Sequence, residues 1–432
     1  LVFLVFIFSL CFKALTTYAM IRFTQMREYS IGKRLIESYL HQPYSWFLNK
    51  NSANLGKNIL SEVQNVIGRG MGPALNLLSQ SIIVIFILTV LLFVDIVLAL
   101  TIFFILGIIY LIIFFLMSSK LKKLGKINLK ANEERFSAVA EAFGASKEVK
   151  LGGLEKEYVS RFSNPAIHYG KNTATMGIIS QLPKYLIEGM GFGGMLIIIL
   201  YLITVSGSFA SSIPILTLYA FAGYRLLPAI QQIYASLTSL RFTEPAINLL
   251  YSDLKKLEDQ NTNLIQDDNL YFNKEILLNS LIYNYPNTSQ PAIKDINLRI
   301  LANERVGIVG PTGCGKTTIV DLILGLLEPK EGNLIVDKKI INISNRRKWQ
   351  SMIGYVPQTI YLSDQSISQN IAFGEDIKKI NQKEVEAAAK VAKLHDFISN
   401  ELPMGYSTKV GERGLRSSGG QRQRIGIARA LY

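Results

Sequence analysis

Charge is scarce in this sequence and unevenly signed. Only 18% of the 432 residues are Asp, Glu, Lys or Arg, against about 25% in an ordinary soluble domain, and that shortfall argues against a purely cytosolic protein. Cysteine is nearly absent. Cys11 in an apolar run and Cys314 in a glycine-rich loop exclude a disulfide framework and a metal-thiolate site. His41, His168 and His395 are too scattered for a zinc constellation. With 49% apolar residues the chain is not intrinsically disordered, and its length is that of two or three domains. The charges present favour the basic side, 46 Lys+Arg against 32 Asp+Glu for a net +14, so nucleic acid and an anionic membrane surface are both open partners at this point.

The distribution of charge decides between them. A membrane span needs about 20 predominantly apolar residues, and five stretches meet that, at about 1–21, 74–94, 96–117, 185–205 and 211–237. The apolar stretch that holds the last two is broken at Ser206-Gly207-Ser208. Residues 1–21 lack the basic flank and small-residue cleavage site of a signal peptide. Segment 25–72 carries six Lys and Arg and segment 118–178 carries eleven, whereas the turns near Asp95 and Ser206–Ser211 carry none. The positive-inside rule therefore places the two long basic segments in the cytoplasm. The basic excess is topology, and no nucleic-acid partner is expected. Five spans with a cytoplasmic C-terminal part leave residue 1 outside, which reads as a chain that has lost its first span. Both basic segments have helical periodicity, with breakers at Pro43 and Gly152-Gly153. Residues 1–250 are thus expected to form a transmembrane helical domain, 251–269 a polar linker, and 270–432 a soluble α/β domain.

In the soluble part an apolar stretch at 304–309, expected to be a strand, runs into Gly310-Pro311-Thr312-Gly313-Cys314-Gly315-Lys316-Thr317, followed by Thr318 and an apolar helix. This is the P-loop pattern. Its glycines let backbone N–H groups wrap an anion at a helix N-terminus. Lys316 is placed to reach the β/γ-phosphates, and the Thr317 hydroxyl to sit on Mg²⁺.

Further motifs follow. Residues 411–432 run Gly-Glu-Arg-Gly-Leu-Arg-Ser-Ser-Gly-Gly-Gln-Arg-Gln-Arg, then an apolar helix. This resembles the signature sequence of ABC-type ATPases, with Ser418, Gly419, Gly420 and Gln421 as its phosphate-contacting core. Gly354-Tyr-Val-Pro-Gln358 is similar to the family's Q-loop, and Leu281-Ile-Tyr-Asn-Tyr285-Pro to its adenine-stacking segment. The resemblance implies that Tyr285 stacks on the adenine of ATP, that Thr318 meets the α-phosphate, and that Gln358 ligates Mg²⁺ or orients the attacking water, with Lys316 as its catalytic partner. It also implies a head-to-tail homodimer in which the signature of one copy covers the ATP of the other. Ser417 stands where the family usually has Leu. Leu334-Ile-Val-Asp337 does not continue as a Walker B motif, and the sequence ends where the family continues to one, so this chain is not expected to hydrolyse ATP normally by itself.

The membrane half is similar to six-span ABC exporters, in which segments like His41–Phe47 and Ser146–Glu155 are coupling helices. Pro183–Phe192 and Tyr224–Ala229 look closest to bacterial flippases of lipid-linked oligosaccharides. Arg225, a permanent cation within the last span, is a candidate for the substrate path, since such charges usually face a cavity or a partner. Pairing with Glu188 or with backbone carbonyls is an equal alternative. The expected protein is an ATP-driven, plasma-membrane half-transporter of an amphipathic substrate. Export of drugs, peptides or plain lipids, or a nucleotide-gated channel or regulator on the same scaffold, are the competing readings.

Overall fold

The computed structural model describes residues 2–94, 96–206, 209–258, 270–286, 288, 290–411 and 418–432. Side chains are left undescribed at some positions within 98–106, 186–219 and 256–258. The chain divides into two compact units, Leu1–Asn263 and Leu264–Tyr432.

The first unit is all helix. Helix α1 (Val2–Leu40) is followed by the short α2 (Tyr44–Phe47), and then by α3 (Ser52–Val94), α4 (Ile96–Gly144), the short α5 (Ser146–Gly152), α6 (Glu155–Ser206) and α7 (Phe209–Glu258). Pro43 precedes α2 as its N-cap, and Gly153 ends α5 in the left-handed region at φ +62°, so the breakers read from the sequence act where they stand. Helices α1 and α3 are long and apolar enough to cross a membrane. The expected spans 96–117, 185–205 and 211–237 run through side chains outside the described ones, as do Asp95 and residues 207–208 at the expected turns. Many apolar side chains of α1 and α3 face outward, with Phe8 73% and Phe93 87% exposed. A lipid solvent makes that arrangement stable where water would not.

Helix α7 is the spine of this unit. Val84 and Leu91 of α3, Ala99 of α4, and Ala222, Leu226 and Ala229 of α7 form one cluster. Nearer the basic segments, Leu35 and Tyr39 of α1 pack with Val63 and Ile67 of α3 and Leu250 of α7. Between them α4 and α7 approach so closely that a Cβ on Gly125 would overlap the Phe242 carbonyl. Helix α3 is also irregular, since it widens into π turns at Asn58–Glu62 and Ile67–Met71. Helix α7 continues to Glu258, so 251–258 is helical, and the rest of the expected linker lies outside the described residues.

In the second unit the described residues start at Leu270, which is buried in its core. Strands β1 (Glu275–Tyr283), β2 (Ile293–Leu301), β3 (Glu331–Val336) and β4 (Lys339–Ile340) form an antiparallel sheet of order β2-β1-β3-β4. Helix α8 (Lys316–Ile323) packs Leu322 onto this sheet together with Trp349 of α9 (Arg346–Gln350). A separate helical core joins α10 (Ile367–Ile371), α11 (Gln382–Val391), α12 (His395–Glu401) and α13 (Gly419–Leu431). One expectation fails here. Residues 305–309, and likewise 353–357 before Gln358, belong to no strand. A strand needs a partner in register as well as alternating residues, and no described segment pairs with either; Val309 is 92% exposed.

Asp337 does structural work at the β3–β4 turn, which Asp337 and Lys338 make with φ of +45° and +71°. Its carboxylate accepts the N–H groups of Asn273, Lys274 and Glu275 at 2.5, 2.9 and 2.8 Å. Desolvation works to raise its pKa, but the three backbone bonds and the Lys274 charge outweigh it and hold the carboxyl below its ordinary range. A lowered folded pKa gives stability that is present above the unfolded value of about 3.9 and is lost as pH falls through the folded one. Asp337→Asn is therefore expected to lower the melting temperature between pH 5 and 8, with the difference from wild type closing as pH falls below about 4. A thermal-shift series across pH checks this. In the first unit, Gly125→Val is expected to prevent α4 from seating on α7, measured as loss of protease resistance in detergent.

A P-loop and a signature helix on separate cores

The glycine loop is built by backbone that only glycine takes without strain. Gly313 and Gly315 have φ of +83° and +94°, in the left-handed region that a Cβ disfavours. Gly315 is also the N-cap of α8, and a Cβ there would come within 2.8 Å of Ile293 and 3.1 Å of the Ala292 carbonyl. The free N–H groups of the first turn of α8 follow directly, so partial positive charge collects at the loop. Lys316 adds a full charge. Its Nζ donates to the Gly310 and Pro311 carbonyls, both at 2.8 Å, and lies 3.8 Å from Cys314 Sγ, which folds the ammonium across the loop. Thr312 and Thr317 are exposed. The Thr317 hydroxyl, in the first turn of α8, is an oxygen that a hard cation accepts.

Tyr285 and Thr318 meet behind the loop. The Tyr285 hydroxyl and Thr318 Oγ1 are 2.8 Å apart, and the Tyr285 ring stands edge-on to Tyr283 at 5.2 Å between centroids. Tyr283 is the buried strand aromatic and Tyr285 is only partly covered. Asp321, one turn further along α8, is buried, and desolvation pushes its pKa up.

The other motifs gather on the helical core. Ser418 caps α13, its Oγ accepting the Gln421 N–H at 3.2 Å while Gln421 Oε1 accepts the Ser418 N–H at 2.7 Å. Gly419 and Gly420 occupy the first two helical positions and are exposed, and capping leaves their N–H groups unclaimed by the helix. Residues 412–417, including Ser417, lie outside the described ones. The segment holding Gln358 packs on the same helix. A Cβ on Gly354 would come within 2.7 Å of the Ala430 carbonyl, and one on Gly426 would overlap Ile360. Gln358 itself is exposed and makes no hydrogen bond among the described residues. The structure thus places Tyr285, Thr318 and residues 310–317 on the sheet core and Ser418–Gln421 on the helical core, and the segment of Gln358 runs between them, with Ile353 against the first and Ile360 against the second. Among the described residues no hydrogen bond joins the two groups.

Sequence reasoning assigned no role to Asn370 or Arg429, which tie the second group together. Asn370 is fully buried. Its Oδ1 accepts Ser363 N–H at 2.9 Å, and its Nδ2 donates to the Ser363 and Ser366 carbonyls at 3.0 and 3.1 Å. Arg429 of α13 donates from Nε to the Asn370 carbonyl at 2.9 Å and lies 4.3 Å from the Phe373 ring centre. The only signal in the sequence was an arginine inside the apolar run Ile-Gly-Ile-Ala-Arg-Ala-Leu. In the other unit Arg225 is exposed and has no hydrogen bond or ion pair among the described residues, while Glu188 pairs with Lys184 at 3.7 Å.

A helical membrane unit joined to a P-loop nucleotide-binding unit defines the class of protein. Residues 1–225 match the ABC transporter transmembrane region and residues 293–432 match the ABC transporter family model. The chain belongs to the ABC transporter family and is a membrane protein. It is 28% identical over 428 residues to an ATP-dependent lipid A-core flippase of Cupriavidus pinatubonensis, an alignment covering 92% of this chain and 67% of that protein. It is 36% identical over 256 residues to the chloroplastic ABC transporter B family member 29 of Arabidopsis thaliana, covering 59% of this chain and 39% of the relative. The solved structure of a bacterial Atm1-family ABC exporter with ATP bound superposes with a TM-score of 0.81 at 21% identity, over 98% of this chain and 73% of that one; the fold is that of these exporters.

Substitutions at Tyr285 and Asn370 probe the two groups separately. Tyr285→Ala is expected to weaken nucleotide binding about tenfold, the loss of one stacked ring, and Tyr285→Phe to keep most of it; titration with a fluorescent ATP analogue measures both. Asn370→Ala should lower stability by about 2–3 kcal/mol by leaving buried backbone groups unpaired, read from denaturant unfolding of the intact chain.

Proposed function

We propose that this chain is half of an ATP-driven exporter that carries an amphipathic lipid outward across a bacterial inner membrane, working as a homodimer with its ATPase unit in the cytoplasm. The observation that carries the reading is the joining, in one chain, of a lipid-facing helical unit to a loop whose glycines, helix N-terminus and Lys316 all favour a phosphate. The lipid A-core flippase relatives support lipid as the substrate class. Within that class the reading is a glycolipid with a phosphorylated headgroup, of which a lipid-linked oligosaccharide is the form we favour. Arg225, exposed and without a partner among the described residues, offers such a headgroup a permanent cation where charge is otherwise costly.

The residues present fit ATP with Mg²⁺. The N–H groups from Gly313 to Thr317 would hold the phosphates, and Lys316 would exchange the Gly310 and Pro311 carbonyls for phosphate oxygens. Thr317 and Gln358 would hold the metal, which supplies neutralisation of phosphate charge. Tyr285 would support the base, and Thr318 would meet the α-phosphate. Ser418 keeps its own hydroxyl proton to donate, because in the cap it serves as acceptor. With the Gly419 and Gly420 N–H groups it would close over nucleotide held by the partner copy.

ATP hydrolysis by the full-length protein in nanodiscs tests this, with Lys316→Ala as the blank. Stimulation of at least threefold by a polyprenyl-pyrophosphate glycan or a lipid A-type glycolipid is expected, and it should be lost in Arg225→Ala with basal hydrolysis unchanged. Stimulation by drugs or peptides alone would contradict the lipid assignment.

A further inference from the structure

Helix α7 is the element through which the two units are covalently continuous, because it ends at Glu258 and the second unit begins at Leu264. One turn and a half before that end, Asp253 is held by two polar groups inside an apolar cluster. The Tyr39 hydroxyl donates to Asp253 Oδ2 at 2.7 Å, and Asn58 Nδ2 lies 3.4 Å from both Asp253 Oδ2 and the Tyr39 oxygen. Tyr39 is 3% and Asn58 8% exposed, with Leu35, Val63, Ile67 and Leu250 around them. The Tyr39 ring also lies against Trp46 of α2 at 5.4 Å. Burial and then the Asp253 bond push the Tyr39 pKa far up, so the hydroxyl is a permanent donor.

Asn58 opens the first π turn of α3. The second π turn is gripped by α7 as well: Ser239 and Thr243 donate to the Arg69 carbonyl at 2.7 and 3.3 Å. Helix α7 therefore holds α3 at the two places where α3 departs from regular helix, the kind of irregularity that marks functional positions. Apolar packing alone would let the end of α7 slide along its neighbours. The Tyr39–Asp253 bond resists sliding, since each intermediate position leaves a buried hydroxyl and a carboxylate unpaired.

We propose that Tyr39, Asn58 and Asp253 form a coupling latch, which makes the end of α7 and the π turns of α3 move as one body and so passes displacement of the ATPase unit into the membrane helices. They are positioning residues and touch neither nucleotide nor substrate. The inference rests on the reading of the chain as an ATP-driven transporter. Opening the latch uncouples: nucleotide is still bound and cleaved, while the membrane helices no longer respond.

The test uses the full-length protein in nanodiscs and proteoliposomes, with Tyr39→Phe, Asp253→Ala and the double variant. Backbone hydrogen exchange across residues 55–71 is followed with and without ATP, beside hydrolysis and lipid transport. Hydrolysis is expected within twofold of wild type, transport per ATP at least tenfold lower, the ATP-dependent change in exchange lost, and the double variant no worse than either single one. Should one variant fail to fold, the other carries the same expectation. Retention of the ATP-dependent change in exchange in a folded variant overturns the latch, whatever the substrate. A wild-type protein that hydrolyses ATP and shows the exchange change but moves no lipid overturns the proposed function instead, and the exchange measurement still decides the latch.

Discussion

A backbone inside hydrocarbon has no water to bond, so every N–H and C=O must be satisfied within its own helix. That constraint shapes this molecule more than any other. Helices α4, α6 and α7 are 49, 52 and 50 residues long, about 75 Å each at 1.5 Å per residue, against a hydrocarbon core of about 30 Å. More than half of each helix is therefore free of the rule that made it regular. The two π turns of α3 and the buried polar contacts occur in the free portion, at Glu62–Asn132 (2.8 Å), Arg69–Ser239 and Tyr39–Asp253. Packing inside the bilayer relies on small residues and apolar fit; outside it, hydrogen bonds fix register.

The ATPase unit divides its labour in a matching way. The sheet core carries the P-loop, and the helical core carries the signature helix. The P-loop and the signature each sit at the N-terminus of a helix, α8 or α13, where backbone N–H groups converge. Neither core contains both. In the homodimer we propose, a nucleotide shared between two copies would bring both ends to one phosphate chain.

Much of this was legible because the signals are local. Glycines at 313 and 315 announce positive φ, Ser418 with Gln421 three residues later announces a capping box, and the apolar runs of α1 and α3 announce helices long enough to cross a membrane. The failures are non-local. Residues 304–309 alternate like a strand, but pairing is decided by a partner elsewhere in the chain, which pattern alone does not supply. Asn370 is unremarkable in sequence, and its importance comes from being fully buried among carbonyls. The Tyr39–Asp253 bond joins residues more than two hundred positions apart, and nothing in either neighbourhood points to the other. Asp337 could be read only as something other than a Walker B residue; its task of holding the start of β1 appears once the turn is built.

The central claim is that energy released at the P-loop moves a lipid through the helical unit. The most direct measurement is uphill movement of a labelled glycolipid in sealed proteoliposomes containing the full-length protein, with ATP on the side of the ATPase unit. The account predicts accumulation in the opposite leaflet above the equilibrium distribution, stopped when ATP is exhausted. Redistribution that reaches equilibrium and no further, at the same rate with or without ATP, would contradict it.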